Sequence, residues 1–328
     1  MKFKHLFTWL LIFIMCFTLI SCDNSDDTML NTQTPAPTAT AVPQVGSARP
    51  LLYKVSNKNG SVIWLFGSIH AGRESYYRLP DYVMEPFYDS DCLAVEADII
   101  AFESDFSMQT EALKYLMYTD GSTIKNHISD KLYDEAVHIM VMMDSYTPLL
   151  DNYCPAFWST MIDSVQIDED VAKAELGVDR YLLKHAKDSG KKIVEIESAK
   201  SQYKMLAGFS NELQEYLLAQ SVASYNSNED DLELVRLMDI WASGDEQALI
   251  EYIEADTSDI PEEERVLYDE YYKAMFTDRN IYMADYAQTA LNTRNKVFIC
   301  VGAAHVVGEG SITQILAQRG YTVELIIE

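Results

Sequence analysis

Basic residues are scarce in this chain. It carries 25 Lys and Arg against 51 Asp and Glu, a formal net charge of -26 at pH 7. A surface of that sign repels phosphate backbones and anionic headgroups, which argues against nucleic acid as a partner and against electrostatic docking on anionic lipid. Cysteine is also sparse, with five in all. Cys16 and Cys22 stand near the N-terminus. Cys92, Cys154 and Cys300 remain, an odd number with no Cys-x-x-Cys spacing. Neither a disulfide framework nor a thiolate zinc site is expected. Cys92 and Cys300 lie in apolar runs and read as small buried hydrophobes. No apolar run reaches the roughly 20 residues of a comfortable membrane span. Histidine is rare, six in the chain, so histidines that share a motif carry weight.

What is present begins with a leader. Met1–Lys4 is basic, Leu6–Ile20 is apolar apart from Thr8 and Thr18, and Leu19-Ile20-Ser21-Cys22 follows. A basic start, a short apolar core and a small residue before the cut mark a secretory signal. The Leu-x-Ser-Cys ending resembles the bacterial lipobox. The expectation is a signal over 1–21, cut before Cys22, with Cys22 lipidated. Residues 22–49 are rich in Thr, Pro, Ala, Ser, Asn and Asp, a composition that makes a disordered tether. Lipid on one cysteine anchors a protein without spanning the bilayer. The domain over 50–328 is then extracytoplasmic, on a membrane the sequence does not specify. At about 280 residues it can build one large core or two smaller ones.

The domain reads as α/β. Leu51–Val55 and Val62–Phe66 flank Asn57-Lys58-Asn59-Gly60, a hairpin signal. Cys92–Glu96, Lys192–Ile196, Val297–Val301 and Tyr321–Ile327 are further strand-like runs. Val297–Val301 is apolar throughout, as a central strand should be. Helical spacing covers Asp105–Tyr118, Asp130–Asp144, Val178–Lys187, Asn211–Ser224, Asp231–Ala242, Glu262–Leu291 and Ser311–Gln318. Gly190 is a plausible stop for the third of these. The pattern predicts a mixed central sheet with two large helical insertions, one on each side of Lys192–Ile196.

One internal echo stands out. Trp64-Leu65-Phe66-Gly67-Ser68-Ile69-His70 parallels Ile299-Cys300-Val301-Gly302-Ala303-Ala304-His305. Each is an apolar strand closed by Gly-x-x-His. Gly67 and Gly302 permit a tight turn or a close backbone approach. Ligands of open α/β sheets bind beyond the carboxyl ends of the strands, so His70 and His305 converge there if the two strands are neighbours. Imidazole is both a common metal ligand and a common general base. Glu96 ends its own strand, where a carboxylate completes a two-histidine metal site or acts as a base. Glu197 is placed further along its strand end than Glu195 and is the better second acid. Arg279, in Asp278-Arg279-Asn280, is suited to clamp a carboxylate or carbonyl. The plainer alternatives are satisfied loop histidines, polar strand ends and a surface salt bridge. Glu309 either joins the site or begins the following helix. His127, His138 and His185 read as structural.

These residues resemble the TraB/GumN family. Phe66-Gly67-Ser68-Ile69-His70 and Ala94-Val95-Glu96-Ala97-Asp98 are similar to its opening. Gly177-Val178-Asp179, Lys191–Glu197 and Gln202 are similar to its middle. Asp278-Arg279-Asn280 and Val301–Gly308 are similar to its close. The family includes the Tiki proteins, described as membrane-tethered, divalent-metal-dependent proteases, and is grouped with erythromycin esterases and haem-binding lipoproteins. The resemblance implies a metal-dependent hydrolase, a peptidase first, with manganese, cobalt or zinc held by His70, Glu96 and His305. Glu96 or Glu197 serves as base and Arg279 as oxyanion or substrate anchor. The substrate would be a peptide or protein. Two rivals stand beside this reading. One is a binding protein that sequesters a peptide, haem or metal without turnover, as TraB's link to silencing a peptide pheromone allows. The other is a scaffold whose acidic insertions bind another envelope protein.

Overall fold

The Asn-Gly turn starts the sheet. In the computed structural model, which describes residues 46–164, 172–225, 229–254, 260–293 and 296–327, Asn57 Oδ1 accepts the N–H groups of Asn59 at 2.9 Å and Ser61 at 3.0 Å. Gly60 has φ +82°, in the left-handed region that suits glycine. The hairpin joins β1 (Leu52–Ser56) to β2 (Val62–Ser68). The remaining strands are β3 (Cys92–Val95), β4 (Lys192–Glu195), β5 (Val297–Gly302) and β6 (Thr322–Ile326). Their order is β4-β3-β5-β2-β1-β6. β1 pairs antiparallel with β2 and β6, while β2, β3, β4 and β5 pair in parallel. The sheet is mixed, as expected, and every residue of β5 is buried, which accounts for its unbroken apolar run.

Helices fill the connections. α1 (Asp81–Asp89) precedes β3. The first insertion holds α2 (Ile99–Ser104), α3 (Phe106–Leu113), α4 (Asp130–Met142), α5 (Pro155–Ser164) and α6 (Val178–Asp188). The second holds α7 (Ala199–Ala207), α8 (Asn211–Tyr225), α9 (Glu229–Ser243), α10 (Glu246–Ile253), α11 (Glu262–Tyr272) and α12 (Asp278–Thr293). α13 (Ile312–Gln318) leads from β5 to β6. α6 buries Val178, Leu182, Leu183 and Ala186, one helical stripe, and packs on β3 and β4. Gly190, φ +67°, turns the chain after it.

Two helices depart from the expected spans. The helix expected over Asp105–Tyr118 stops at Leu113, and a 3-10 turn (Lys114–Leu116) follows. Met117 then bridges to Tyr153, so cross-chain pairing displaces the last helical turns. The run Glu262–Leu291 is interrupted by a π turn over Lys273–Thr277, which offsets the helix on either side of it.

Residues 1–45, where the leader, Cys22 and most of the tether are expected, lie outside the described residues. Gly46–Arg49, read as the end of the tether, lie on the domain instead. Gly46 N–H donates to Arg78 O at 2.7 Å and Arg49 N–H to Ala242 O at 2.8 Å, and Ala48 is buried. Among the described residues no helix is long and apolar enough to cross a membrane. Cys92, Cys154 and Cys300 are free and buried.

Candidate functional site

The parallel strands deliver their side chains to one edge. β2 and β5 are neighbours, with Ser68 opposite Gly302, and β3 flanks β5 on its other side, with Val95 opposite Cys300. His70, Glu96 and His305 each follow the end of one of these strands. Beyond β4 the chain stays paired, because Glu197 N–H donates to Glu96 O at 2.9 Å. That bond sets the second carboxylate beside the first. Glu195 points elsewhere and accepts the Asp98 N–H at 2.9 Å.

Arg279 closes the site from the opposite side. It lies in the first turn of α12, directly after the π turn, and its Nη1 donates back to Met275 O at 3.3 Å. Its Nε and Nη2 fork onto Glu197, 2.9 Å to Oε1 and 2.9 Å to Oε2. Nη2 also donates to Glu96 Oε2 at 2.5 Å. The other Glu96 oxygen accepts the Gly302 N–H at 2.7 Å. Charge-assisted and bidentate bonds of this kind are among the strongest a side chain makes.

The imidazoles face the same point. A Cβ placed on Gly302 would lie 3.5 Å from Glu96 Oε1, 3.6 Å from His305 Cδ2 and 3.9 Å from His70 Nε2. His305 Nε2 is 3.9 Å from Glu96 Oε1. The outer ring nitrogens have their own partners. His70 Nδ1 stands 3.0 Å from Asp179 Oδ2, and His305 Nδ1 stands 2.6 Å from Asn280 Oδ1.

Charge follows this geometry. Burial pushes the Glu96 carboxyl up, but the Arg279 guanidinium and the Gly302 N–H hold it well below the usual carboxylate range. Burial and the Arg279 guanidinium lower His305 to about 3, so its ring is neutral. Burial also pulls His70 down, and the Asp179 carboxylate outweighs it, leaving that ring above its ordinary value. Burial disfavours the Arg279 charge, and Glu96 and Glu197 more than restore it.

Around these groups lies a cavity of about 30 Å³, room for about two waters. Leu237, Trp241, Met275 and Phe276 make its apolar wall. Trp241 Nε1 donates to Gly67 O at 2.9 Å, which pins α9 over the end of β2.

The expected residues His70, Glu96, Glu197, Arg279 and His305 therefore come together. Gly67 does not line the cavity. A Cβ there would meet Val306 Cγ2 at 2.8 Å and Ala303 Cα at 3.0 Å, so this glycine serves close packing. Glu309 neither joins the site nor starts the helix. Its N–H donates to Glu254 Oε1, and Ser311 caps α13 by accepting the Gln314 N–H. His127 stacks on Tyr118 and His185 packs against Tyr181. Asp179, Asn280 and Trp241 are functional neighbours that sequence reasoning did not assign. The first two lie inside motifs already singled out, Gly177-Val178-Asp179 and Asp278-Arg279-Asn280.

Two imidazoles and a carboxylate suit a divalent cation by donor type. Among the described residues no group of three or more His, Cys, Asp or Glu side chains is placed so that it could hold a metal ion. Arg279 and the Gly302 N–H engage both Glu96 oxygens. Beside Gly302 lie Glu96 Oε1, His305 Cδ2 and His70 Nε2, from residue types that suit such an ion.

The model of the TraB/PrgY/gumN family matches residues 51–325. The chain belongs to the TraB/PrgY/gumN family. The match takes in both Gly-x-x-His strand ends, both carboxylates and Arg279. The chain is also similar to a protein of Escherichia coli (strain K12) named "Uncharacterized protein YbaP". The two are 24% identical over 253 residues, 77% of this chain and 86% of that protein. The Shigella flexneri protein of the same name shows the same identity and coverage. No solved structure matches.

Proposed function

We propose that this family member is a metal-dependent hydrolase acting on peptides, tethered by lipid at Cys22 outside the cytoplasm. The observation that carries the reading is the meeting of His70, Glu96 and His305 around Gly302 beneath Arg279. A manganese, cobalt or zinc ion held by those three side chains would supply Lewis acidity to the scissile carbonyl and acidify a water. Glu197, the other carboxylate expected as a base, does not line the cavity; Arg279 holds both its oxygens and Gln202 Nε2 donates to Oε2 at 3.2 Å, so it fixes the guanidinium in place. Arg279 lines the cavity and presents a fixed positive charge to a developing oxyanion. The apolar wall excludes bulk water and strengthens both effects. The acidic chain and its tether favour a peptide brought to the membrane surface over any nucleic acid.

Glu96 favours a second reading. With both oxygens already engaged, it serves as a structural anchor, and the protein sequesters a peptide, haem or metal without turnover. Incubating the protein with a peptide library and each of the three metals separates the two. The hydrolase reading expects new peptide termini that vanish in His70→Ala and in His305→Ala. Cleavage unchanged in the double variant would contradict it, and ligand recovered intact from a stable complex would establish the second reading.

A further inference from the structure

We propose that Asp179 and Asn280 are positioning residues that fix both site imidazoles as the Nδ1–H tautomer, leaving Nε2 the unprotonated nitrogen of each ring. At His305 the hydrogen-bond chain dictates the proton. Asn280 Nδ2 donates to Gly310 O at 2.9 Å. The amide oxygen therefore faces the ring at 2.6 Å, and an amide oxygen only accepts. Turning the amide over would set Oδ1 against the Gly310 carbonyl and leave two acceptors opposed. Nδ1 of His305 must carry the hydrogen.

At His70 the partner is an ionic acceptor. Asp179 Oδ2 lies 3.0 Å from Nδ1, and a carboxylate accepts a hydrogen from the ring. Local structure explains why Asp179 arrives there. Val178 N–H donates to Ile69 O at 2.8 Å, docking the start of α6 on the loop before His70. A Cβ on Gly177 would lie 2.4 Å from His70 O, so only glycine lets the helix approach so closely. Asp179 is also costly to keep. It is buried, and among the described residues its Oδ1 has no hydrogen-bond partner. Such a group calls for a compensating role, and holding His70 is the role its geometry shows.

In metal sites, the hydrogen bond at one ring nitrogen sets which nitrogen ligates. The consequence for ion affinity rests on the metal reading above, whereas the tautomers themselves do not. Long-range proton–nitrogen correlation spectra of the metal-free full chain, labelled at histidine and held at a pH above the raised range of His70 so that both rings are neutral, test the proposal. His70 and His305 of the wild type are expected to show the Nδ1–H pattern. Asp179→Ala is expected to move His70 alone toward the Nε2–H form, and Asn280→Ala to move His305 alone. Asp179→Asn keeps an acceptor oxygen and is expected to retain the wild-type pattern. Zinc affinity is expected to fall about 10- to 100-fold in the alanine variants. An Nε2–H form at either ring of the wild type would overturn the proposal. So would an unchanged His70 pattern in Asp179→Ala with an intact amide spectrum. Nδ1–H tautomers in a wild type that takes up no zinc would uphold the positioning roles and contradict the metal reading.

Discussion

His70 and His305 end the same Gly-x-x-His motif in opposite surroundings. The His70 side chain is 21% exposed at the rim, while that of His305 is 5% exposed on the floor. His70 leans on a carboxylate and His305 on an amide. Their glycines differ as well. Gly67 has backbone and side chain within 3.0 Å of a Cβ position, whereas Gly302 has only ordinary contacts there and gives its N–H to Glu96. The sheet register explains the difference. Ser68 lies opposite Gly302 and Gly67 opposite Val301, so the two motifs are offset by one residue in space. A repeated sequence pattern has been put to two uses, packing at one strand end and an open floor at the other.

The largest expected effect lies on the floor. Arg279→Ala leaves Glu96 and Glu197 buried without their shared cation and is expected to destabilise the fold by about 3–5 kcal/mol, read by urea denaturation. A loss no larger than that of an exposed ion pair would show that the triad is not buried in solution. Next comes Gly67→Ala, where the neighbour to be displaced includes the Ala303 backbone. Overpacking of this kind costs about 1–3 kcal/mol, measurable as a fall in Tm. Trp241→Phe removes the donor to the Gly67 carbonyl and is expected to cost about 1 kcal/mol by the same denaturation assay. Smallest is Gly302→Ala. Its φ of -53° and ψ of 141° suit any residue, so stability is expected to change by less than about 0.5 kcal/mol, while the added methyl lowers metal uptake. A larger stability loss at Gly302 than at Gly67 would reverse the comparison.

Much of this arrangement was legible in the residues. Alternation and turn signals located all six strands to within two residues at each end. The echo of Phe66-Gly67-Ser68-Ile69-His70 in Val301-Gly302-Ala303-Ala304-His305 foretold that two histidines meet. Glu96 and Glu197 were legible as polar residues that end apolar strands. Other features depend on tertiary docking. α5 is buried along almost its whole length, from Pro155 to Asp163, so it carries no one-sided period to read. The π turn before Arg279 leaves no local mark, because Lys273–Thr277 continues a helical pattern on both sides. Asp179 and Asn280 become ring partners only when α6 and α12 close on the sheet edge. Glu309 was misplaced because Ser311, two residues on, is the better cap.

Metal content tests the central claim most directly. A chain lacking residues 1–21 would be loaded with manganese, cobalt and zinc in turn and measured by plasma mass spectrometry, wild type beside the His70→Ala/His305→Ala double variant. The account predicts near-stoichiometric metal in the wild type and its loss in the folded double variant. No metal in the folded wild type, or equal metal in both proteins, would contradict it.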